Sequence, residues 1–414
     1  MIHRFKVVIV GGGASGIAAG ISAGRMGDKV LICEKMPSLG KKILASGNGR
    51  CNLSNEDLAP SHYNSRSRDL VETVFSRFGK TAVKNFFSEI GVELYSEGGR
   101  VFPATNQSAT VLRALEIELS RLAIPVELGF DVAHIDHSPG KYILISKSGK
   151  RVESEYIILA CGGRSYPALG SDGSGFQLAR RFNHSVIEPV PSCVPLVTKS
   201  PLCHMLQGQK IKGAARAIVG DEVVAESEGE VLFTKYGLSG TAIIDVSRPI
   251  SIAINRSAKK DADVTLDMAP FIGIEELKQE LSSRVKNKRS QDDMLVGILP
   301  NKFGPALKKI LDIKNVEKTS SFIKQARFRI DATRGWNEAD FTAGGVDVRE
   351  VDGRTLESRL SRGLYLSGEV LDVDGERGGY NLAWAWASGY IAGLLGREER
   401  ALTGGPGTMV KPKF

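Results

Sequence analysis

The chain has 414 residues, of which 42% are hydrophobic and 25% are charged. This length and composition predict a globular protein of two or three domains. Its 46 glycines cluster in a few loops and form no repeat, which excludes a collagen-like or low-complexity protein. No apolar run approaches the roughly 18 residues of a transmembrane helix, and the first apolar run is too short for a signal peptide. We therefore expect a cytoplasmic protein with no membrane partner.

The charge and the cysteines restrict the ligands further. Lysine and arginine total 55 and aspartate and glutamate total 47, so the net charge is +8. This charge favours anionic small molecules or nucleotides and is only a weak indication of nucleic acid. The five cysteines are an odd number, with no C-x-x-C pair and no histidine at a metal-binding spacing. We expect a reducing compartment, no disulfide framework and no metal site.

A glycine-rich turn lies between two short apolar runs near the start of the chain. Residues 5–10 are typical of a buried parallel strand, and residues 29–33, which end at Glu34, are typical of a second. Between them, residues 11–16 read Gly-Gly-Gly-Ala-Ser-Gly and precede a helix-like segment. A G-x-G-x-x-G pattern between strand and helix, with an acid about 20 residues further on, is the dinucleotide-binding fingerprint.

Each residue type of this fingerprint has a physical role. Gly11 permits the tight turn, Gly13 lets the backbone approach a pyrophosphate, and Gly16 lets the helix pack closely on the strand. The phosphates are expected at the helix N-terminus, where free N–H groups and the helix dipole favour anions. Glu34 can accept hydrogen bonds from both ribose hydroxyls of the adenosine half.

The fingerprint does not distinguish NAD from FAD, but the next segment favours FAD. Residues 35–52 are rich in glycine and lysine and show little helical or strand period, and a loop of this length is usually functional. Their basic side chains and the small residues 46–49 suit a pyrophosphate contact followed by passage along a flat ring. An extended FAD molecule needs such a second clamp.

The same segment resembles a known family. Residues 40–55, Gly-Lys-Lys-Ile-Leu-Ala-Ser-Gly-Asn-Gly-Arg-Cys-Asn-Leu-Ser-Asn, are similar to the signature of the BaiN-like (YhiN-type) flavoproteins, also called the aminoacetone oxidase family. The resemblance continues at residues 160–167, 342–346, 368–375 and 378–386. It implies an α/β fold: a Rossmann-type FAD-binding domain with an inserted β-barrel and a small helical subdomain. The family usually has threonine at position 161, so Cys161 is a departure.

The fingerprint and the resemblance together imply one FAD site assembled from distant parts of the chain. By resemblance, the backbone near Val132 contacts the adenine. The expected cofactor-binding residues are Gly11, Gly13, Ala14, Ser15, Gly16, Glu34, Lys35, Lys41, Lys42, Ser46, Gly47, Arg50, Cys51, Asn52, Val132, Ala160, Cys161, Gly162, Gly345, Gly368, Glu369, Gly379, Tyr380, Asn381 and Leu382.

Apolar periodicity and turn residues predict the other elements. The predicted elements are a helix over 67–90, a helix over 108–123, strands at 126–128 and 132, a hairpin of 142–146 with 152–156, a separate buried strand at 157–160, and a strand at 364–366. The glycine-rich residues 170–175 follow no strand, so we interpret them as a turn before a helix near Phe176. The chain therefore has no second Rossmann module for a tightly held NAD(P)H.

Composition changes along the chain indicate domain limits. Prolines mark a boundary near residue 191, short alternating runs to about residue 248 favour a barrel or sandwich, and a lysine-rich helical stretch follows. The predicted organisation is 1–191 for the first part of the FAD-binding domain, 192–268 for the inserted β-barrel, 269–326 for the helical subdomain, 327–340 for the return strand of the barrel, and 341–414 for the second part of the FAD-binding domain, with a loose tail from Gly404.

The C-terminal part is expected to return to the cofactor. Glu369 follows a predicted strand, where flavoproteins of this architecture place an acid beside the ribityl chain. Residues 378–381 then open an apolar helix, 382–395, whose N-terminus would face the pyrimidine edge of the flavin. Reduced flavin carries negative charge there, which a helix N-terminus stabilises.

These features predict an FAD-dependent oxidoreductase that reacts through flavin N5 on a small organic substrate. The substrate should lie over the ring, between the Rossmann domain and the barrel, and Arg50, Asn52, Tyr380 and Asn381 are the candidates for lining that space. None is identified as a general base. One possible reaction is reduction of an activated C=C bond with NAD(P)H docking transiently, which relatives in bile-acid metabolism favour. The other is oxidation of a small amine with O₂ as acceptor.

Other classes of function are less favoured. A nucleic-acid-associated flavoprotein would fit the positive charge and the basic residues 284–309, but the aromatic residues do not interleave with them as stacking platforms would. A flavin-binding structural partner without turnover stays open. Cys51 could be a redox thiol, although a lone cysteine is more often a packing residue. The sequence predicts no oligomeric state.

Overall fold

The computed structural model describes residues 3–257 and 261–397, so the tail expected from Gly404 lies outside the described residues. The strands are β1 His3–Val10, β2 Val30–Glu34, β3 Ser54–Asn55, β4 Leu94–Glu97, β5 Arg100–Pro103, β6 Val126–Leu128, β7 Val132–Ser138, β8 Lys141–Ser146, β9 Arg151–Leu159, β10 Val186–Ser192, β11 Leu196–Val197, β12 Lys210–Val219, β13 Glu222–Thr234, β14 Gly237–Ser239, β15 Ala262–Asp267, β16 Ala326–Arg329, β17 Ala332–Thr333, β18 Phe341–Val346 and β19 Leu364–Leu366. The α-helices are α1 Ala14–Arg25, α2 Lys41–Ala45, α3 Arg68–Arg77, α4 Lys80–Glu89, α5 Ser108–Arg121, α6 Ser174–Arg180, α7 Pro201–Met205, α8 Thr241–Asn255, α9 Ile274–Lys286, α10 Phe303–Leu307, α11 Val316–Lys324 and α12 Tyr380–Gly393.

A mainly parallel sheet carries the glycine-rich turn. Its order is β6-β2-β1-β9-β8-β7, and β19 also pairs with β9. The strands β6, β2, β1, β9 and β19 pair in parallel, whereas β8 is antiparallel to both β7 and β9. Val7, Val8 and Ile9 of β1 are fully buried, as expected of a parallel strand covered on both faces. The predicted Rossmann-type α/β fold is confirmed.

A second, antiparallel sheet is inserted between β10 and β18. Its order is β16-β15-β12-β13-β14-β11-β17, and α8 packs against β12 and β13. Its buried apolar side chains form a core of their own, distinct from the core around the parallel sheet. The two connecting strands, β10 and β18, pair with each other. The predicted limits near residues 191 and 341 fall on these two strands, while the division into domains stays a prediction.

Two predicted elements differ in the structure in their local backbone conformation. The segment 35–52, expected to lack regular structure, contains α2 and a 3₁₀ turn at Ser46–Gly49. The helix predicted over 67–90 is two helices, α3 and α4, that meet at Phe78 and Gly79. A Cβ atom at Gly79 would lie 2.5 Å from the carbonyl oxygen of Phe75, so the close approach there requires glycine.

Other limits shift because pairing and packing continue beyond the apolar run. The strand predicted separately at 157–160 is the end of β9, which runs unbroken from the predicted hairpin. The stretch predicted as β structure up to residue 248 also contains α7 and α8, and α8 buries Ile243, Val246 and Ile250. The C-terminal helix begins at Tyr380, two residues earlier than predicted.

Close packing of α12 on α1 brings the C-terminal part to the glycine-rich turn. A Cβ atom at Gly389 would lie 2.2 Å from the carbonyl oxygen of Ser15, and one at Gly393 would lie 2.4 Å from that of Ala19. The indole N–H of Trp384 donates to the carbonyl oxygen of Gly368 at 3.1 Å. In the described part of the chain, no helix has both the length and the apolar character needed to cross a bilayer.

Candidate active site

A cleft of about 570 Å³ opens where the parallel strands end. Backbone that follows β1, β9 and β19 forms its floor, at residues 11–15, 160–162 and 368–369. Ligands of α/β proteins bind at this carboxyl edge of the sheet. The sequence-predicted residues that line the cleft are Gly11, Gly13, Ala14, Ser15, Glu34, Lys41, Lys42, Ser46, Gly47, Arg50, Asn52, Ala160, Cys161, Gly162, Gly368, Glu369, Gly379, Asn381 and Leu382.

A narrower pocket continues from the cleft beside Gly11 and Glu34. It is lined by two further predicted residues, Lys35 and Val132, and also by Phe130. Lys35 forms an ion pair with Asp172, whose oxygen lies 2.6 Å from the lysine Nζ. The cleft and this pocket together therefore form an elongated space along the edge of the sheet.

Two helices point their N-termini into the cleft. Gly13 precedes α1, and Gly379 precedes α12 in the left-handed conformation, with φ at 101°. A Cβ atom at Gly379 would lie 2.2 Å from the carbonyl oxygen of Ser54, so glycine is required for this approach of the chain. Two helix N-termini on one cleft favour a ligand that carries negative charge at two separated points.

The Glu34 carboxylate is buried and partly used by the protein itself. One oxygen accepts from the backbone N–H of Gly12 at 2.6 Å, and the other accepts from that of Met36 at 2.7 Å. A carboxylate has about four acceptor positions, so this group can still accept from a ligand hydroxyl. Its expected contact with a ribose stays a prediction.

Glu369 joins four donors from three parts of the chain. Its Oε2 accepts from Lys42 Nζ at 2.8 Å and from the N–H of Gly163 at 3.3 Å. Its Oε1 accepts from the N–H of Thr342 at 2.8 Å and from the Ser165 hydroxyl at 3.3 Å. These four bonds use the acceptor capacity of the carboxylate. Glu369 therefore connects three segments of the cleft wall. Its expected contact with a ribityl chain stays a prediction.

Four predicted residues lie outside the lining: Gly16, Cys51, Gly345 and Tyr380. Gly16 packs against the turn, since a Cβ atom there would lie 1.8 Å from the Gly11 carbonyl oxygen. Cys51 is fully buried behind the cleft wall. Gly345 lies in β18 against the backbone of Leu371.

The Tyr380 side chain, expected to line the substrate space, instead stacks on His62 with the ring centroids 4.5 Å apart. It turns away because it also packs edge-on against Tyr63. The other expected substrate contacts lie in the lining, but two of their polar groups are engaged elsewhere. The Asn381 amide bonds the backbone of Gly375, and the Arg50 guanidinium lies on the Phe102 ring and pairs with Glu97.

One wall of the cleft contains residues that the sequence analysis did not predict for the site, among them Tyr166, Ile244 and Asp340. Arg377 joins them and pairs with two carboxylates, Asp340 at 3.1 Å and Asp245 at 3.0 Å. Burial raises the pKa of Asp340 above its ordinary value, and Arg377 opposes that shift. Tyr166 lies in the segment 160–167 that carries the family resemblance, although no role was predicted for it. No motif marks Ile244, Asp340 or Arg377, and only the fold brings these residues together. The described residues hold no cluster of three or more potential metal ligands.

The family follows from comparison with known proteins. Residues 5–395 match the family described as the HI0933-like protein Rossmann domain. The chain belongs to this family. The predicted resemblance to the BaiN-like flavoproteins is confirmed by a relative from Clostridium scindens, a 3-dehydro-bile acid delta(4,6)-reductase. The two are 37% identical over 409 residues, which cover 95% of this chain and 99% of the relative.

A second relative has a different name. A ribosomal RNA dihydrouridine synthase from Escherichia coli is 27% identical over 405 residues, which cover 94% of this chain and 97% of that protein. Among solved structures, a 3-ketosteroid delta1-dehydrogenase from Sterolibacterium denitrificans shares the fold, with a TM-score of 0.51 at 12% identity. That alignment covers 94% of this chain and 99% of the dehydrogenase. As a member of the HI0933-like family, the protein is an FAD-dependent oxidoreductase of unassigned substrate.

The cleft of this HI0933-like protein fits FAD on two structural tests. The side-chain oxygen of Asn52 and the hydroxyl of Ser171 are buried without a hydrogen-bond partner, and both residues line the cleft. Buried polar atoms are seldom left unpaired, so a polar ligand is expected to satisfy them. In addition, Gly13 leaves open space beside the N-terminus of α1, where a pyrophosphate is expected.

Cys51 is expected to be chemically inert in the folded HI0933-like protein. Burial raises the pKa of its thiol to about 11, and only the thiolate is an effective nucleophile. Cys51→Ser should therefore bind and reduce FAD as the wild type does. A disulfide-forming thiol reagent at pH 8 should label Cys51 only after denaturation. Rapid labelling of the folded wild type that disappears in Cys51→Ser would contradict this prediction.

Proposed function

We propose that the protein is an FAD-dependent reductase of a carbon–carbon double bond conjugated to a carbonyl group, with NAD(P)H as transient electron donor. The observation that carries the proposal is the cleft itself. The fingerprint, both helix N-termini and the unpaired Asn52 oxygen line the cleft, and the cationic guanidinium of Arg377 lines it too. The names of two relatives support it, because both describe saturation of a C=C bond next to a carbonyl.

The residues of the cleft have distinct expected tasks. FAD, when bound, supplies hydride transfer through N5. The N-terminus of α12 would orient the pyrimidine edge of the cofactor and stabilise negative charge there. Arg377, held in place by Asp340 and Asp245, would polarise the substrate carbonyl. Ile244 and Phe341 line the same space and would exclude water from it.

The substrate class has two candidates. A 3-oxo steroid with a conjugated double bond is favoured by the relative with 37% identity. A uridine base in RNA is the second candidate, favoured by the relative with 27% identity and by the net charge of +8. In both substrates the double bond is conjugated to a carbonyl, so the same wall of the cleft would serve either.

The deciding experiment is anaerobic mixing of the FAD-loaded protein with each donor. We expect NADH or NADPH to bleach the flavin band, and a 3-oxo-Δ4 steroid or uridine-containing RNA to restore it. A small amine is expected to leave the flavin oxidised in the absence of NAD(P)H. Bleaching by the amine alone, followed by peroxide formation in air, would instead identify an amine oxidase and overturn the proposal.

A further inference from the structure

Tyr166 has an unusual backbone conformation at the edge of the cleft. Its φ and ψ are 54° and 64°, the left-handed region that a bulky side chain rarely adopts. Two backbone bonds hold it there: its N–H donates to the carbonyl oxygen of Trp336, and its own carbonyl accepts from the N–H of Leu169, both at 2.9 Å. Strained residues of this kind concentrate at active sites, so the conformation points to a role for the side chain.

The hydroxyl of Tyr166 is available to a ligand. Two buried tyrosines bond their hydroxyls within the protein: Tyr63 donates to the Tyr380 carbonyl oxygen and Tyr142 to that of Arg362. The structure gives the Tyr166 hydroxyl no such partner within the described residues, and the side chain is half-buried in the cleft wall. Its neighbour Ser165 is fixed by Lys42 and Glu369, so the base of the side chain is held rigidly.

Three ionisable groups near Tyr166 already have partners within the protein. Lys42 pairs with Glu369, and Asp340 pairs with Arg377. The thiol of Cys161 donates to the Val10 carbonyl oxygen. The Tyr166 phenol is an uncharged O–H group of the cleft without a partner among the described residues, and a phenol is a much stronger acid than the aliphatic hydroxyl of Ser171, which also lines the cleft.

We propose that Tyr166 is the proton donor to the substrate carbon next to the carbonyl group, an inference that rests on the proposed function. The far carbon of the double bond would receive a hydride, which FAD in its reduced form would supply when bound, and the C=C π bond would break. The electron pair moves toward the carbonyl, and the near carbon then takes the proton from the Tyr166 hydroxyl. The O–H bond breaks, two C–H bonds form, and the phenolate regains its proton from water.

The environment of Tyr166 keeps the donor protonated. Burial raises the pKa of Tyr166 above its ordinary value, and the charges of Asp340 and Glu338 add to that shift. Both effects disfavour the phenolate, so the side chain holds its proton until a substrate takes it.

Two kinds of oxidant, carbon substrates and a pure electron acceptor, distinguish a proton donor from a structural residue. The wild type, Tyr166→Phe and Tyr236→Phe are loaded with FAD, reduced with dithionite, and mixed anaerobically with a 3-oxo-Δ4 steroid, with uridine-containing RNA, or with ferricyanide. Ferricyanide takes electrons without transfer of a proton to carbon. Tyr236→Phe is the matched control because it also removes one phenolic hydroxyl. The Tyr236 ring lies beneath the Arg334 guanidinium, outside the cleft lining.

We expect Tyr166→Phe to slow reoxidation by the carbon substrate by about 100-fold or more, with an unchanged rate for ferricyanide. Tyr236→Phe should match the wild type with both. Equal rates for Tyr166→Phe and wild type on the carbon substrate would overturn the role of Tyr166 but not the proposed function. Equal slowing of Tyr166→Phe with ferricyanide would do the same. If the reduced wild type reacts with neither carbon substrate, the proposed function fails and this inference fails with it.

Discussion

Gly13→Asp is expected to yield a well-folded protein that no longer retains FAD. A Cβ atom at Gly13 meets nothing within 4 Å, and its φ of −86° suits any L-residue. Aspartate is also a favoured residue before a helix, where its charge complements the dipole. The new carboxylate would occupy the space expected for the pyrophosphate, so steric overlap of about 1–3 kcal/mol and charge repulsion should together lower FAD affinity about 100-fold or more.

Gly13→Asn is the matched control, because it has the same shape without the charge. It should retain more FAD than Gly13→Asp, and both apo-proteins should unfold at the denaturant concentration of the apo wild type. The flavin content after gel filtration and a fluorescence titration with FAD measure the effect. A Gly13→Asp protein as yellow as the wild type would place the pyrophosphate elsewhere.

Gly16→Ala, unlike Gly13→Asp, is expected to lower the stability of the apo-protein. Its Cβ atom would lie 1.8 Å from the Gly11 carbonyl oxygen, so the turn itself would have to move. The apo-protein should therefore lose stability, visible as a lower unfolding midpoint before any cofactor is added. The two glycines belong to one motif but have different roles: Gly16 allows the turn to pack, and Gly13 leaves space for the ligand.

The sequence predicted the parts of the cleft that local geometry determines. The turn at Gly11, the acid at Glu34 and the C-terminal glycines each lie directly after a strand or before a helix, and such positions follow from short-range patterns. The parallel sheet then brings them to one edge. The Rossmann-type fold could also be predicted, since buried parallel strands are continuous apolar runs.

The wall that contains Asp340 and Arg377 could not be predicted, because it depends on pairings between distant segments. Asp340 meets Arg377 only because β18 and the loop before α12 reach the same edge of the cleft. The outward turn of Tyr380 likewise depends on the Tyr63 ring from another part of the chain. A motif identifies which segment is near a ligand, but not which of its side chains faces it.

Glu369→Ala is expected to destabilise the apo-protein by about 3 kcal/mol. The substitution leaves the Lys42 ammonium without its carboxylate partner and the backbone N–H of Thr342 without its acceptor, in a wall where the Glu369 side chain is only 17% exposed. Removing one partner of a largely buried ion pair costs more than the pair contributes, because the remaining charge stays desolvated. Urea denaturation of the apo-protein measures the loss.

Glu155→Ala is the surface control for this substitution. It removes an ion pair of similar length, 2.7 Å to Lys6, whose two side chains are 38% and 39% exposed. Exposed pairs contribute about 1 kcal/mol or less, so the unfolding midpoint should change little. If Glu369→Ala were as stable as Glu155→Ala, the four hydrogen bonds of Glu369 would not be what holds the wall together, and its carboxylate would be free for the ribityl contact that the sequence predicts.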